Sequence, residues 1–248
     1  MFKDYLCLLL LAHIAGDFYL QTQPMADKKD KDINWVFIHC LCYWLTMMIV
    51  LMPVIDGKTI KYGTLAALLH TMVDIAKYFY LSKKVNVTAK REYKIFFLDQ
   101  GVHILGLIFV AYLFVRDMGV LRVFSQVSDF FHITGISGNT VVCWVTALLI
   151  VHKPANIAIS KMLSIYRPEN KDTDRKQDYN AGRFIGTIER IIILIFISLS
   201  QYAAIGLVLT AKSVARYEKI AKEPEFAEYY LLGTLLSTLA AIVSSLIL

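Results

Sequence analysis

Residues 35–55, WVFIHCLCYWLTMMIVLMPVI, hold one histidine and no charged side chain. A helix needs about 20 mostly apolar residues to cross the hydrocarbon core of a bilayer, and this stretch is long enough. The pattern repeats outward from it. Further apolar runs lie at about 5–23, 60–81, 95–115, 138–158, 184–210 and 227–248. Seven such spans would use about 140 residues, close to the whole apolar content of a 248-residue chain that is 57% apolar. Soluble domains run nearer 45–50% apolar and about 25% charged, whereas this chain is 19% charged with a mean hydropathy of +0.54. The expected fold class is all-α, a polytopic helical membrane protein of about seven transmembrane helices. An ordinary soluble enzyme, a disordered chain and a collagen-like chain are excluded. So is a disulfide scaffold, because Cys7, Cys40, Cys42 and Cys143 all lie in apolar stretches and read as small hydrophobes.

The connections follow from the residues between the runs. Pro24 and the charged run Asp27 to Asp32 stop the first, and Pro53, Asp56 and Gly57 turn the second into the third. Lys83 to Lys94 reads as a polar loop. Residues 117–137 are too polar to span and read as an interfacial amphipathic helix. Residues 159–183 include RPENKDTDRKQDYN at 167–180 and form the one long hydrophilic segment. It divides a five-helix domain, 1–158, from a two-helix hairpin, 184–248. The first run begins Met1-Phe2-Lys3-Asp4, carries His13 and Asp17 and ends in Gln21-Thr22-Gln23-Pro24. It lacks a positive start and a small-residue cleavage site, so it reads as a retained helix.

The net charge of +6 comes without a basic stripe interleaved with aromatics, so nucleic acid is not an expected partner. The cations instead orient the chain. Loops after spans one, three and five hold 14 Lys and Arg, and the opposite side holds 8. The positive-inside rule then places the N-terminus outside and the C-terminus in the cytoplasm.

Four histidines fall one each on the first four spans: His13, His39, His70 and His103. Asp17 follows His13 by four, Asp74 follows His70 by four, and Asp99 precedes His103 by four. Residues four apart share a helix face. At 1.5 Å rise per residue, all seven side chains fall in one layer, roughly 6–15 Å below the cytoplasmic surface. Each alone reads as a helix–helix hydrogen bond. Seven at one depth read as a site. An ionised carboxylate in hydrocarbon costs about 2.5–3.5 kcal/mol, so three on one level need cations, protons or water. His with Asp is a ligand set for zinc, manganese or iron, and an ion held there lowers the pKa of a bound water to about 7. The candidate metal ligands are His13, Asp17, His39, His70, Asp74, Asp99 and His103. Asp17, Asp74 and Asp99 are also candidate catalytic carboxylates, one of them as general base.

Lys77 snorkels to headgroups or neutralises Asp74. In the C-terminal pair, Arg190 follows Glu189 and is a candidate for a phosphate head group or for an aspartate of the cluster; Gly182 and Gly186 have close-packing spacing. Lys77 and Arg190 are the candidate substrate-binding residues. Lys212 and Arg216 could face Glu228.

The run Ala12-His13-Ile14-Ala15-Gly16-Asp17-Phe18-Tyr19-Leu20-Gln21-Thr22-Gln23 resembles the opening signature of a bacterial membrane family, the domain of unknown function DUF3307. His70-Thr71-Met72-Val73-Asp74 with Lys77, and Asp99-Gln100 with His103, resemble its later motifs. The resemblance covers about residues 5–115, extends to the C-terminal part often seen with it, and supplies no activity. The expected function is a metal-dependent hydrolase of the inner membrane, acting from the cytoplasmic side on a lipid or lipid-linked phosphate with a divalent metal cofactor. A cation or proton transporter is the alternative, since intramembrane His and Asp also make proton relays. A membrane scaffold or sensor is a third reading. The far halves of spans two to four, such as MMIVLM and GLIFVAYLFV, carry almost no polar groups and favour a one-sided site.

Overall fold

The alternation of apolar runs and polar breaks becomes a series of helices. The computed structural model describes residues 1–82, 88–164, 166 and 176–248, with backbone alone at 89 and 176–181. Lys83, Lys84, Arg167, Lys171 and Arg175 lie outside the described residues, as do 165 and 167–175 of the expected hydrophilic segment. Among the described residues every regular element is helical.

Helix α1, Phe2–Ile14, continues into a π-helical turn, Ala15–Leu20. Helix α2, Gln23–Lys29, is capped by Thr22, whose hydroxyl accepts from the Met25 N–H, and Pro24 sits in its first turn. It leaves the α1 direction by 94°. Asp32 caps α3, Ile33–Leu51. A short 3₁₀ turn, Met52–Val54, leads to α4, Gly57–Ser82. Thr59 N–H donates to the Asp56 carboxylate at 2.7 Å, and Asp56 N–H donates to the Thr59 hydroxyl at 2.6 Å. This reciprocal pair satisfies donors that the first helical turn leaves open. Helix α5, Ala89–Arg116, begins earlier than expected, so Lys90, Arg91 and Lys94 stand on its first turns and not in a loop. The polar stretch 117–137 contains α6, Ser125–Thr134, with no buried side chain. Then follow α7, Gly138–Leu163, α8, Lys176–Ser198, α9, Tyr202–Val214, α10, Tyr217–Lys222, and α11, Pro224–Ser245.

Four helices among the described residues are long and apolar enough to cross a membrane, within 33–54, 90–116, 138–163 and 224–245. Counting α1 with α2 as one bent span gives five. The expected seven are not reached on these grounds. Helix α4 has the length but carries Lys58, Lys61, Asp74 and Lys77. The expected span 184–210 is two helices: α8 stops at Ser198, Ser200 takes a positive φ of 57°, and α9 starts at Tyr202. Helix α9 has 13 residues, about 20 Å of rise, against a hydrocarbon core of about 30 Å.

The chain forms two compact units, Met1–Thr146 and Ala147–Leu248, the boundary falling within α7. In the first unit α1, α3, α4 and α5 share an apolar core containing Tyr5, Leu9, Met47, Leu51, Ala66, Val110 and Phe114. Tyr5 stacks on Phe114 with ring centroids 4.0 Å apart. This core occupies one end of the four helices. The numbering of each places His13, His39, His70 and His103 toward the other end. In the second unit α8 packs on α11 and α9, with Ile193, Leu194 and Ala241 buried. The cysteines pack as expected: all four are free, with Cys7, Cys40 and Cys143 buried.

Candidate metal centre

Helices α1, α3, α4 and α5, with the π-helical turn that follows α1, carry the seven His and Asp side chains to one region. His13, His39, His70, His103 and Asp74 are each at most 4% exposed, and Asp99 is 8% exposed. The Asp17 side chain is 5% exposed. Asp17 rides on the π-helical turn, where Gln21 N–H donates to the Gly16 carbonyl five residues back. Such turns widen a helix locally and recur at functional sites.

The tightest convergence is around two imidazoles. His39 Nε2 and His70 Nε2 are 3.2 Å apart. Asp17 Oδ1 is 3.1 Å from the first and 3.4 Å from the second. Asp74 Oδ2 is 3.3 Å from the first and 3.5 Å from the second. A tetrahedral ion with ligand bonds of about 2.0–2.1 Å holds neighbouring ligand atoms about 3.3–3.4 Å apart. The five separations, 3.1–3.5 Å, lie within about 0.3 Å of that spacing. Three sets of ligand atoms lie within 4.8 Å of one another and are able to hold an ion: His13, Asp17 and His103; Asp17, His39 and His70; and His70, Asp74 and His103.

Aromatic stacking fixes these rings. Tyr43 lies flat on His70, with centroids 3.7 Å apart and planes 3° from parallel, and His103 stacks on His70 at 4.3 Å. His13 Nδ1 lies 3.2 Å from the Tyr43 hydroxyl. Its Nε2 lies 3.3 Å from Gln100 Oε1. Gln100 in turn donates to Asp17 Oδ2 at 3.4 Å and Asp99 Oδ2 at 3.2 Å. Gly16 makes this packing possible: a Cβ there would lie 2.8 Å from the Tyr43 ring.

Two lysines answer two of the three carboxylates. Lys29 Nζ is 3.4 Å from Asp74 Oδ2, and Lys77 Nζ is 3.0 Å from Asp99 Oδ2. Lys77 therefore pairs with Asp99, across helices, and not with Asp74 three residues back. Asp17 faces the imidazoles and Gln100. Buried atoms remain without hydrogen-bond partners: both ring nitrogens of His103, Nδ1 of His70, and one oxygen each of Asp74 and Asp99. Each costs about 1–3 kcal/mol if nothing meets it.

Six of the seven predicted ligands sit in these sets. Asp99 joins them through Gln100, and no hydrogen bond links it to His103 although the two are four apart. Tyr43, Gln100 and Lys29 were not among the predicted site residues. Tyr43 was within reach, four residues after His39 on the same face. In the sequence Lys29 reads as a loop cation, and no spacing shows that α2 folds it back onto α4.

Arg190 and Glu189, the weaker constellation, lie in the second unit. Arg190 is 2% exposed. Its Nε donates to the Val151 carbonyl, and its Nη groups donate to Ser237, Asn156 and Thr187. Glu189 pairs with Lys212 at 2.6 Å, so Lys212 finds Glu189 and not the expected Glu228.

Residues 5–131 match the family described as Protein of unknown function (DUF3307). No curated protein and no solved structure matches the chain. The matched stretch covers all seven converging His and Asp residues, and the chain belongs to the DUF3307 family.

Proposed function

We propose that this chain is a polytopic inner-membrane protein whose His/Asp cluster holds a divalent metal ion, zinc, manganese or iron, and serves hydrolysis of a lipid or lipid-linked phosphate from the cytoplasmic side. The observation that carries the reading is that His39 Nε2 and His70 Nε2 lie 3.2 Å apart and each lies 3.1–3.5 Å from Asp17 Oδ1 and Asp74 Oδ2, from three separate stretches of chain. The unpartnered nitrogens of His103 supply further ligand capacity beside it.

A cavity of about 820 Å³ between α4 and α5 reaches this cluster. His70, Asp99 and His103 line it together with the apolar Leu69, Val73, Leu98 and Val102, and Lys77, Lys90, Arg91 and Lys94 contribute cations. An apolar lining with cations beside carboxylate and imidazole groups suits an amphiphile with an anionic head. A divalent ion supplies Lewis acidity toward a phosphoryl oxygen. The chain's own residues do the rest. The lysines and Arg91 bind the anionic head, and the unpaired oxygen of Asp99 is placed to accept a proton. The apolar core from Tyr5 to Phe114 supports a site closed on the far side.

A second reading has its own observation. Lys29 and Lys77 already neutralise two carboxylates, as a proton relay or a metal-free structural core would require. The experiment is release of phosphate from short-chain phosphatidic acid by the purified full chain in detergent, with and without chelator and divalent metal. The proposal expects release that needs metal and is lost in Asp74→Asn. Metal-independent release, or none under any metal, sinks the hydrolase reading.

A further inference from the structure

The second unit contains a cavity of about 350 Å³ whose lining differs in kind from the first. Among the described residues five cations line it, Arg183, Arg190, Lys212, Arg216 and Lys219, and no carboxylate does. Glu189 engages Lys212. One of the five cations, Arg190, is the largest fully buried side chain among the described residues. Four neutral groups take its hydrogen bonds: the Val151 carbonyl at 2.6 Å, Ser237 at 3.1 Å, Asn156 at 2.7 Å and Thr187 at 3.2 Å. None of them carries a charge. A guanidinium offers five N–H donors, so one on Nη1 is left over.

Burying a charge is costly unless it is paired; the groups that take its hydrogen bonds here are dipoles, and the neighbouring carboxylate of Glu189 acts on it only through space while it hydrogen-bonds Lys212. The buried hydroxyls of Tyr230 and Thr234, which also line this cavity, have no hydrogen-bond partner. Gly186 lets the guanidinium lie close against α8: a Cβ there would sit 3.2 Å from Nη1. An anion in the cavity would answer the buried charge, the spare N–H and the two hydroxyls together.

We propose that this cavity is a phosphate-binding site, built on Arg190 and ringed by Arg183, Arg216 and Lys219. Arginine suits phosphate because its planar fork gives paired, charge-assisted hydrogen bonds. Several cations within one small cavity favour a doubly charged phosphate monoester over a carboxylate. Ile159, Leu163 and Phe226 add apolar wall, which fits the backbone of a lipid phosphate as well as a free phosphate. The site is separate in its residues from the His/Asp cluster, and its test does not involve metal.

The test uses the full chain in detergent, with inorganic phosphate and dioctanoyl phosphatidic acid as probes and dioctanoylglycerol as the uncharged control. Arg183→Gln/Arg216→Gln removes two exposed cations of the ring and leaves the buried Arg190 network intact. Lys28→Gln/Lys31→Gln removes two charges elsewhere. The proposal expects phosphatidic acid to bind and dioctanoylglycerol not to. The ring variant should weaken binding about tenfold or more, the loss of a charge-assisted contact, and the remote variant should not. Competition by inorganic phosphate identifies a free-phosphate site, and its absence a lipid headgroup site; both sustain the proposal. Failure of both probes to bind, or equal loss in the ring and remote variants, overturns it.

Discussion

Gly16 is where one atom decides the geometry of the centre. A Cβ at this position would press into the Tyr43 ring at 2.8 Å, and Tyr43 stacks on His70. Gly16→Ala should destabilise the chain by about 1–3 kcal/mol, the usual cost of overpacking, and should weaken metal binding as well, read by thermal melts with and without added metal. Asp74→Asn separates the two readings of the cluster. With a metal bound, a chelator removes stabilisation of about 2.7 kcal/mol at a hundredfold excess over Kd, and Asp74→Asn abolishes that chelator effect. Without one, the chelator does nothing and the substitution is tolerated. The His and Asp residues were legible because fourfold spacing puts pairs on one helix face and helix rise puts them at one depth. The partners of the lysines were not. Lys77 reaches Asp99 on another helix, and Lys29 reaches Asp74 only because α2 turns back.

Helix ends were legible where they carry a chemical signal. Asp56 and Thr59 form a reciprocal cap at the start of α4. Hydrogen bonds from the Thr59 N–H hold the Asp56 carboxyl below the usual carboxylate range. Because the folded pKa is lowered, the cap stabilises the chain above the unfolded value of about 3.9 and is lost as pH falls through the folded value. Asp56→Ala should cost about 1 kcal/mol at neutral pH, and the difference from wild type should shrink in melts below about pH 4. The break between α8 and α9 carried no such signal. Leu199-Ser200-Gln201 contains neither proline nor glycine, so an apolar run at 184–210 reads as continuous. Ser200 holds a φ of 57°, a left-handed conformation costing roughly 1–2 kcal/mol for most residues. Ser200→Gly should therefore raise the melting temperature, and Ser200→Val should lower it.

At the scale of the whole chain, the all-helical architecture followed from the apolar runs. The number of helices long and apolar enough to cross a membrane did not, because α4 carries charges along its length and the 184–210 run breaks at Ser200. Helix α4 is long enough but carries the polar groups of the centre. Topology remains the chain's own test of the charge argument: a reporter fused within 170–178 should read as cytoplasmic, and a periplasmic reading would move the His/Asp layer to the other face. The central claim is that the cluster built on His39, His70, Asp17 and Asp74 holds a divalent ion. Elemental analysis of the purified full chain, beside His70→Ala, tests it most directly. The account predicts about one equivalent of zinc, manganese or iron per chain and its loss in His70→Ala. A wild-type chain without stoichiometric metal even after incubation with each ion, or one whose metal is unchanged in His70→Ala, would contradict it.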